Sequence, residues 1–337
     1  MTTIDEVAQL AGVSPATVSK VLNNRPYVSA EKRALIERVI AETGFVPSQR
    51  ARGLSKRRSY IFGMLIPYTS NQLFADPHLL ECIRGIEDVA NTHDYNMLLS
   101  TARAPAEAAS ACVRLLRSDV IDGAIVLETI DLQPFTEVLQ QHDAPMVAIG
   151  YAQGTALHAI HADDYGGALS AMHYLLSLGH RRIGIVSSVL RPFALEERLR
   201  GVRVALEARG LCLNEQLIAL GDFSSISGEA AGRALLAQPE PPTAIFALND
   251  RMAIGVMRAA RELNISIPEQ LSVIGFDDIP TASMATPPLT TVRQPGFALG
   301  DTAANVLFAL LDGSMPPPAA VIPTELIVRG TTAPPLH

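Results

Sequence analysis

Residues 3–24 read Thr-Ile-Asp-Glu-Val-Ala-Gln-Leu-Ala-Gly-Val-Ser-Pro-Ala-Thr-Val-Ser-Lys-Val-Leu-Asn-Asn. Ile4, Val7, Ala8 and Ala11 recur at helical spacing, and Gly12 ends that helix. Ser14 is a good N-cap for a second helix, and Pro15 fits its first position, where the missing N–H costs nothing. Ala8 is small enough to let the two helices cross closely, with Val18 facing back. Pro15, Ala16, Thr17, Ser19 and Lys20 are then left pointing outward. This is a helix-turn-helix pattern, and the outward face is the part that enters a DNA major groove. A third helix is predicted from Ala30 to Gly44, capped by Ser29 and stopped by glycine.

Charge points the same way. Residues 1–58 hold ten lysines and arginines against five acids, a net +5. The rest of the chain holds 17 against 29, a net −12, and all three lysines lie in the basic part. A basic head on an acidic body is the footprint of one phosphate-binding module.

From Tyr60 the pattern changes to alternating strands and helices. Strands are predicted at 61–67, 97–101, 123–127, 146–149, 183–187, 244–247, 272–276 and 289–292. Helices are predicted between them at 79–93, 106–118, 166–178, 194–209, 227–236, 251–263 and 296–311. That alternation predicts an α/β fold of parallel sheets with crossover helices. There are too many strands for one sheet of ordinary size, so two lobes are expected, with ligands at facing strand ends. The domains expected are a head at 1–45, a basic linker at 46–58 and a core at 59–337. In that core, lobe 1 takes about 59–160 and 293–322, and lobe 2 about 161–292 and 323–333. No apolar run approaches the ~18 residues that span a membrane. The N-terminus lacks the basic and apolar regions of a signal peptide. Cys82, Cys112 and Cys212 are scattered and odd in number, against a disulfide framework and for a reducing cytoplasm. No Walker A loop, G-x-S-x-G elbow, H-E-x-x-H or G-x-G-x-x-G is present, so neither catalysis nor a cofactor is expected.

Nearly the whole chain resembles the lactose-repressor (LacI/GalR) family of bacterial transcriptional regulators. The head motif carries part of the likeness. The rest lies in Val46-Pro47…Ala51-Arg52-Gly53-Leu54, Asp163-Asp164…Gly167-Ala168, Leu178-Gly179-His180-Arg181-Arg182-Ile183, Arg198…Gly201, Asn249-Asp250-Arg251-Met252-Ala253-Ile254-Gly255, Val273-Ile274-Gly275-Phe276-Asp277-Asp278 and Pro288-Leu289-Thr290-Thr291-Val292-Arg293-Gln294-Pro295. Their order and spacing together are specific. The resemblance implies a periplasmic-binding-protein-like core and a homodimer on a near-palindromic operator in double-stranded DNA. It also implies a cytoplasmic repressor controlled by a small molecule; the polar anchors lean toward a carbohydrate and leave a purine or a sugar acid open. The alternative is a sugar receptor of the periplasmic type, which the basic head opposes.

The resemblance assigns roles residue by residue. Lys20 falls where the family sets a basic side chain on a guanine edge; a phosphate contact is the plainer reading. Pro15 and Ala16 fall on variable reading positions. Thr3, Ser14, Thr17, Ser19 and Asn23 read as phosphate or sugar contacts, with capping as the alternative for Ser14. Leu54 matches the hinge-helix leucine that wedges into the minor groove, flanked by Arg50 and Arg52. In the cleft, Arg198, Asn249, Asp277 and Gln294 match effector-contacting positions, Tyr151 and Phe223 match aromatic ones, and Asp163 lies in the same region. Asn249 also fits a helix cap, Asp277 a buried strand-end acid and Phe223 a core aromatic. One departure stands out. Where the family has Asn-Pro followed by aromatics, this chain has Asp76-Pro77-His78-Leu79, after a longer loop at 68–75.

Overall fold

The computed structural model describes residues 2–22, 26–45, 58–66, 69–127, 135, 144–190 and 192–336. The chain forms two compact units, Met1–Tyr60 and Ile61–His337.

The first unit holds α1 (Ile4–Leu10), α2 (Pro15–Leu22) and α3 (Ala30–Thr43). Thr3 caps α1 in a reciprocal box with Glu6, which satisfies two backbone donors at the helix start. Gly12 takes φ +61°, a left-handed conformation that glycine adopts without strain. The chain can therefore turn at once from α1 into α2. Ser29 caps α3 and Gly44 closes it in the left-handed conformation, as the sequence predicts. Val7, Ala8, Ala11, Val18, Val21, Ile36, Val39 and Phe45 form the core between the helices. Val7, Val18 and Ile36 are wholly buried, each stabilising by about 1.5–3 kcal/mol.

The second unit is built on two six-stranded sheets. The first runs β2 (Asn96–Thr101), β1 (Ile61–Ile66), β3 (Ala124–Leu127), β4 (Met146–Ile149), β5 (His158–Ala162) and β11 (Ala319–Ile322), all parallel. The second runs β7 (Ile218–Gly221), β6 (Ile183–Ser188), β8 (Ala244–Ala247), β9 (Ser272–Asp277), β10 (Thr290–Arg293) and β12 (Glu325–Ile327). Only β12 pairs antiparallel there. The crossover elements are α4 (Ser70–Phe74), α5 (Pro77–Thr92), α6 (Pro105–Arg117), α7 (Asp164–Ser177), α8 (Phe193–Glu207), α9 (Ser225–Leu236), α10 (Asp250–Glu262), α11 (Pro280–Met284) and α12 (Gly296–Leu311). β5, β7, β11 and β12 were not predicted. They have three to five residues each, and three of them are edge strands, paired with a neighbour on one side only.

In each sheet the order reverses beside a central strand, β1 or β6. That leaves a crevice at the carboxyl ends of the strands. The chain passes between the sheets three times, after β5, after β10 and after β11. Two of the passages are tied together. Asp163 N donates to Ile322 O at 2.9 Å, and Thr324 Oγ1 donates to Asp163 O at 3.0 Å. Among the described residues no helix is long and apolar enough to cross a membrane.

Candidate DNA-reading head and effector site

In the head, Pro15, Ala16 and Lys20 are exposed on α2, and Thr17 and Ser19 are half-buried. Ser14 Oγ accepts from Thr17 N at 3.3 Å and lies 2.9 Å from Thr17 Oγ1. Thr3 Oγ1 accepts from Glu6 N at 3.3 Å. Both hydroxyls thus serve as caps, and a hydroxyl that accepts at its oxygen keeps its hydrogen to donate elsewhere. Asn23, Arg50, Arg52 and Leu54 lie outside the described residues.

In the core, the ends of the parallel strands carry the polar side chains. Arg198, on α8, is 7% exposed, so its charge needs partners. Its Nε donates to Asp164 Oδ1 at 2.8 Å and its Nη1 to Leu248 O at 2.5 Å. Asp277 Oδ1 stands 3.9 Å from Nη1, and the Phe276 ring lies under the guanidinium at 3.7 Å. Gln294, just beyond β10, donates from Nε2 to Asp277 Oδ1 at 2.7 Å. Three of the expected effector residues, Arg198, Asp277 and Gln294, therefore meet in one cluster.

The others are placed differently. Asn249 caps α10, its Oδ1 accepting from Met252 N at 2.9 Å while Nδ2 donates to Phe223 O at 3.1 Å. Phe223 has φ +68° and packs against the apolar clusters on both sides of the second sheet. Tyr151 stacks on His161 at 3.9 Å, tilts against Phe193 at 4.9 Å and donates to Ala162 O at 3.3 Å. Asp163 caps α7, its Oδ1 accepting from Gly166 N at 2.8 Å. Its neighbour Asp164, 2% exposed, is the one that enters the cluster. Asp164 was legible only as half of an acidic pair. Capping logic separates the two, because the first acid turns back to the helix start.

Sequence reasoning met Asp76 and His78 only as a departure from the family pattern, and it left out His161, Phe193 and Ser187. Ser187, at the end of β6, is 1% exposed, and its hydroxyl has no hydrogen-bond partner.

The backbone at the end of β9 is unusual. Asp277 has φ +119° and Asp278 φ +57°, where residues with a Cβ rarely sit. Asp278 is held by Arg293 at 2.9 Å and Arg329 at 2.6 Å. Asp250, wholly buried, accepts from Ile279 N at 2.9 Å and from the Thr291 hydroxyl. These bonds fix the turn that aims Asp277. Burial pushes Asp277 up to about 7; Asp76 and Asp164 add to the rise, while Arg198 and Gln294 oppose it. Burial also raises Asp164, against the pull of Arg198. Asp250 is raised well above the carboxylate range by burial and by Asp277. The Arg198 guanidinium thus serves two acids, Asp164 and Asp277.

A basic three-helix head joined to a core of two parallel sheets defines a class, the DNA-binding regulators with a periplasmic-binding-like core. Residues 3–48 match the profile of bacterial regulatory proteins, lacI family, and residues 172–332 that of a periplasmic binding protein-like domain. The chain is 34% identical to the HTH-type transcriptional repressor CytR of Escherichia coli (strain K12), over 98% of this chain and 96% of CytR. It superposes on the lac repressor dimer bound to operator and an anti-inducer with TM-score 0.89, at 28% identity, covering 98% of this chain and 99% of that one. It matches the transcriptional regulator CelR–cellobiose complex with TM-score 0.75, at 31% identity, over 98% and 100%. The chain belongs to the LacI family of bacterial regulatory proteins.

Proposed function

We propose that this protein is a cytoplasmic, homodimeric transcriptional repressor that binds a near-palindromic operator and is released or engaged by a sugar. The observation that carries the reading is the joining, in one chain, of the exposed start of α2 to the Arg198–Asp277–Gln294 cluster at the strand ends. The lac repressor on its operator and the CelR–cellobiose complex, both matched over nearly the whole chain, support it. Pro15, Ala16, Thr17, Ser19 and Lys20 are the surface offered to the groove, with Thr3 and Ser14 beside them. Leu54, between Arg50 and Arg52, serves as the minor-groove wedge, and Asn23 as a backbone contact. Arg198, Asp277 and Gln294 hold the effector, and Asn249, Phe223, Tyr151 and Asp163 shape its surroundings. A sugar gripped between the two sheets changes their relative angle, and with it the spacing of two heads on DNA.

The test begins with operator selection from random duplex DNA, followed by fluorescence anisotropy. Lys20→Ala is expected to weaken the selected site by about 1–3 kcal/mol and to relax the sequence preference at one base pair. Equal weakening on all sequences, with a salt slope lower by about 1, would mark Lys20 as a phosphate contact instead. Failure to select any sequence would sink the regulator reading.

A further inference from the structure

Arg198 is held by two acids, Asp164 at 2.8 Å and Asp277 at 3.9 Å. Each acid has a neighbour in sequence that is tied to one stretch of chain, residues 322–329. On one side, Thr324 Oγ1 donates to Asp163 O at 3.0 Å, and Asp163 N donates to Ile322 O at 2.9 Å. The Thr324 hydroxyl lies against the first turn of α7, where a Cβ on Gly167 would stand 2.7 Å from it. On the other side, Arg329 Nη2 donates to Asp278 Oδ1 at 2.6 Å, and Nη1 donates to Leu289 O at 2.9 Å. The side chains of Arg329 and Asp278 are 18% and 9% exposed, so this charged bond is largely shielded from water. The Arg293–Glu325 pair beside it is open to solvent and holds less firmly. Between the two ties, β12 pairs antiparallel with β10, which keeps Thr324 and Arg329 at a set separation.

We propose that residues 322–329 form a bracket that aims both acids of the Arg198 cluster, with Thr324 the positioning residue for Asp164 and Arg329 the positioning residue for Asp277. Each acts through the chain. Asp163, gripped at its N–H and its carbonyl, is the residue that caps α7, so the start of that helix and Asp164 with it follow Thr324. For Asp277 the argument is one of strain. Asp277 and Asp278 hold φ of +119° and +57°, and such a backbone persists only where surrounding bonds over-determine it. Arg329 supplies one of those bonds, beside Arg293 at 2.9 Å and the bond from Ile279 N to Asp250 at 2.9 Å.

The bracket begins at the last residue of β11, in the first sheet, and ends beyond β12, in the second. A change in the angle between the sheets therefore reaches Asp163 and Asp278 through one segment, and the two acids on Arg198 shift together. That consequence rests on the reading of the core as an effector site. The aiming of the acids does not, and it is tested on the protein without a ligand.

The test is NMR of the isotope-labelled full chain, with one side-chain reporter on each arm. The Arg198 Nε–H donates to Asp164, and the Gln294 Nε2 amide donates to Asp277. Arg198→Lys and Gln294→Asn assign the two signals. Thr324→Val removes a donor at nearly constant volume, and Arg329→Lys keeps the charge but loses the planar fork. Thr324→Val is expected to speed hydrogen exchange at Arg198 Nε about tenfold, the effect of one lost hydrogen bond on an opening equilibrium, and to change Gln294 by less than about twofold. Arg329→Lys is expected to do the reverse. Thr324→Ser, which keeps the hydroxyl, restores the wild-type rate. Should Thr324→Val not fold, Thr324→Ala removes the same donor, and Arg329→Lys reads the other arm independently. Gly300→Ala, whose added carbon meets the backbone of α5 in the first lobe, serves as the control for a general loss of stability and moves neither reporter. Reporters that stay at wild-type rates overturn the proposal. So does a pattern in which both move together in every variant and in Gly300→Ala, or a Thr324→Ser protein that behaves as Thr324→Val does. Binding to the selected operator is scored on the same samples. Unmoved reporters in a protein that binds operator overturn the bracket and leave the regulator intact, whereas the expected pattern in a wild type that binds no operator keeps the bracket and strikes the regulator reading.

Discussion

Gly300 shows how closely single residues are fitted in the core. It lies on the face of α12 that meets α5, and a Cβ there would stand 1.9 Å from Cys82 O. In an open helix a glycine-to-alanine change stabilises by up to about 1 kcal/mol. Here the added carbon meets backbone, so Gly300→Ala is expected to destabilise by about 1–3 kcal/mol in urea unfolding. An unchanged or raised midpoint would show that the two helices can part at little cost. At this scale the candidate site was unevenly legible. Arg198, Asp277 and Gln294 were found because their motifs resemble the family's, and the structure brings them together. Asp164 was hidden by its neighbour, since two adjacent acids look alike until the helix start tells them apart. His78 was visible only as a departure. It packs against Gly296 in the β10–α12 passage, more than two hundred residues away in sequence, which no local pattern encodes.

The head helices were legible because their signals are local. Thr3, Ser29, Gly12 and Gly44 mark ends by hydrogen bonding and backbone conformation alone. The edge strands were not, because a short strand is made by its neighbour rather than by its own composition. The C-terminal segment after β12 is a case in point. It is held by His180, which is 1% exposed and whose ring contacts Thr243 Oγ1 at 2.9 Å, Ser272 Oγ at 3.1 Å and Ala333 O at 2.9 Å. Burial lowers the imidazole pKa, and the bond to Ala333 only partly restores it. The stability His180 lends is therefore full above its ordinary value of 6.5 and is lost as the pH falls below it. Hydrogen exchange in residues 330–336, followed from pH 7.5 to 5, is expected to quicken relative to β8 and β9. Equal protection throughout would mean that the segment is held without His180.

At the scale of the molecule, the two compact units each carry their own buried core. A fragment of residues 61–337 is therefore expected to melt cooperatively and to bind the effector as the full chain does, while losing operator binding altogether. Loss of effector binding in a folded fragment would show that the head contributes to the site. The passages between the sheets bear on how the core is made. β11 completes the first sheet and β12 the second, and both follow β10 and α12 in the chain. During synthesis, everything up to β10 can emerge while β5 and β10 still present unpaired edges. The two lobes are completed almost together, and a ribosome that stops before Ala319 releases a chain in which β5 and β10 each lack a neighbour, a template for pairing with its own kind.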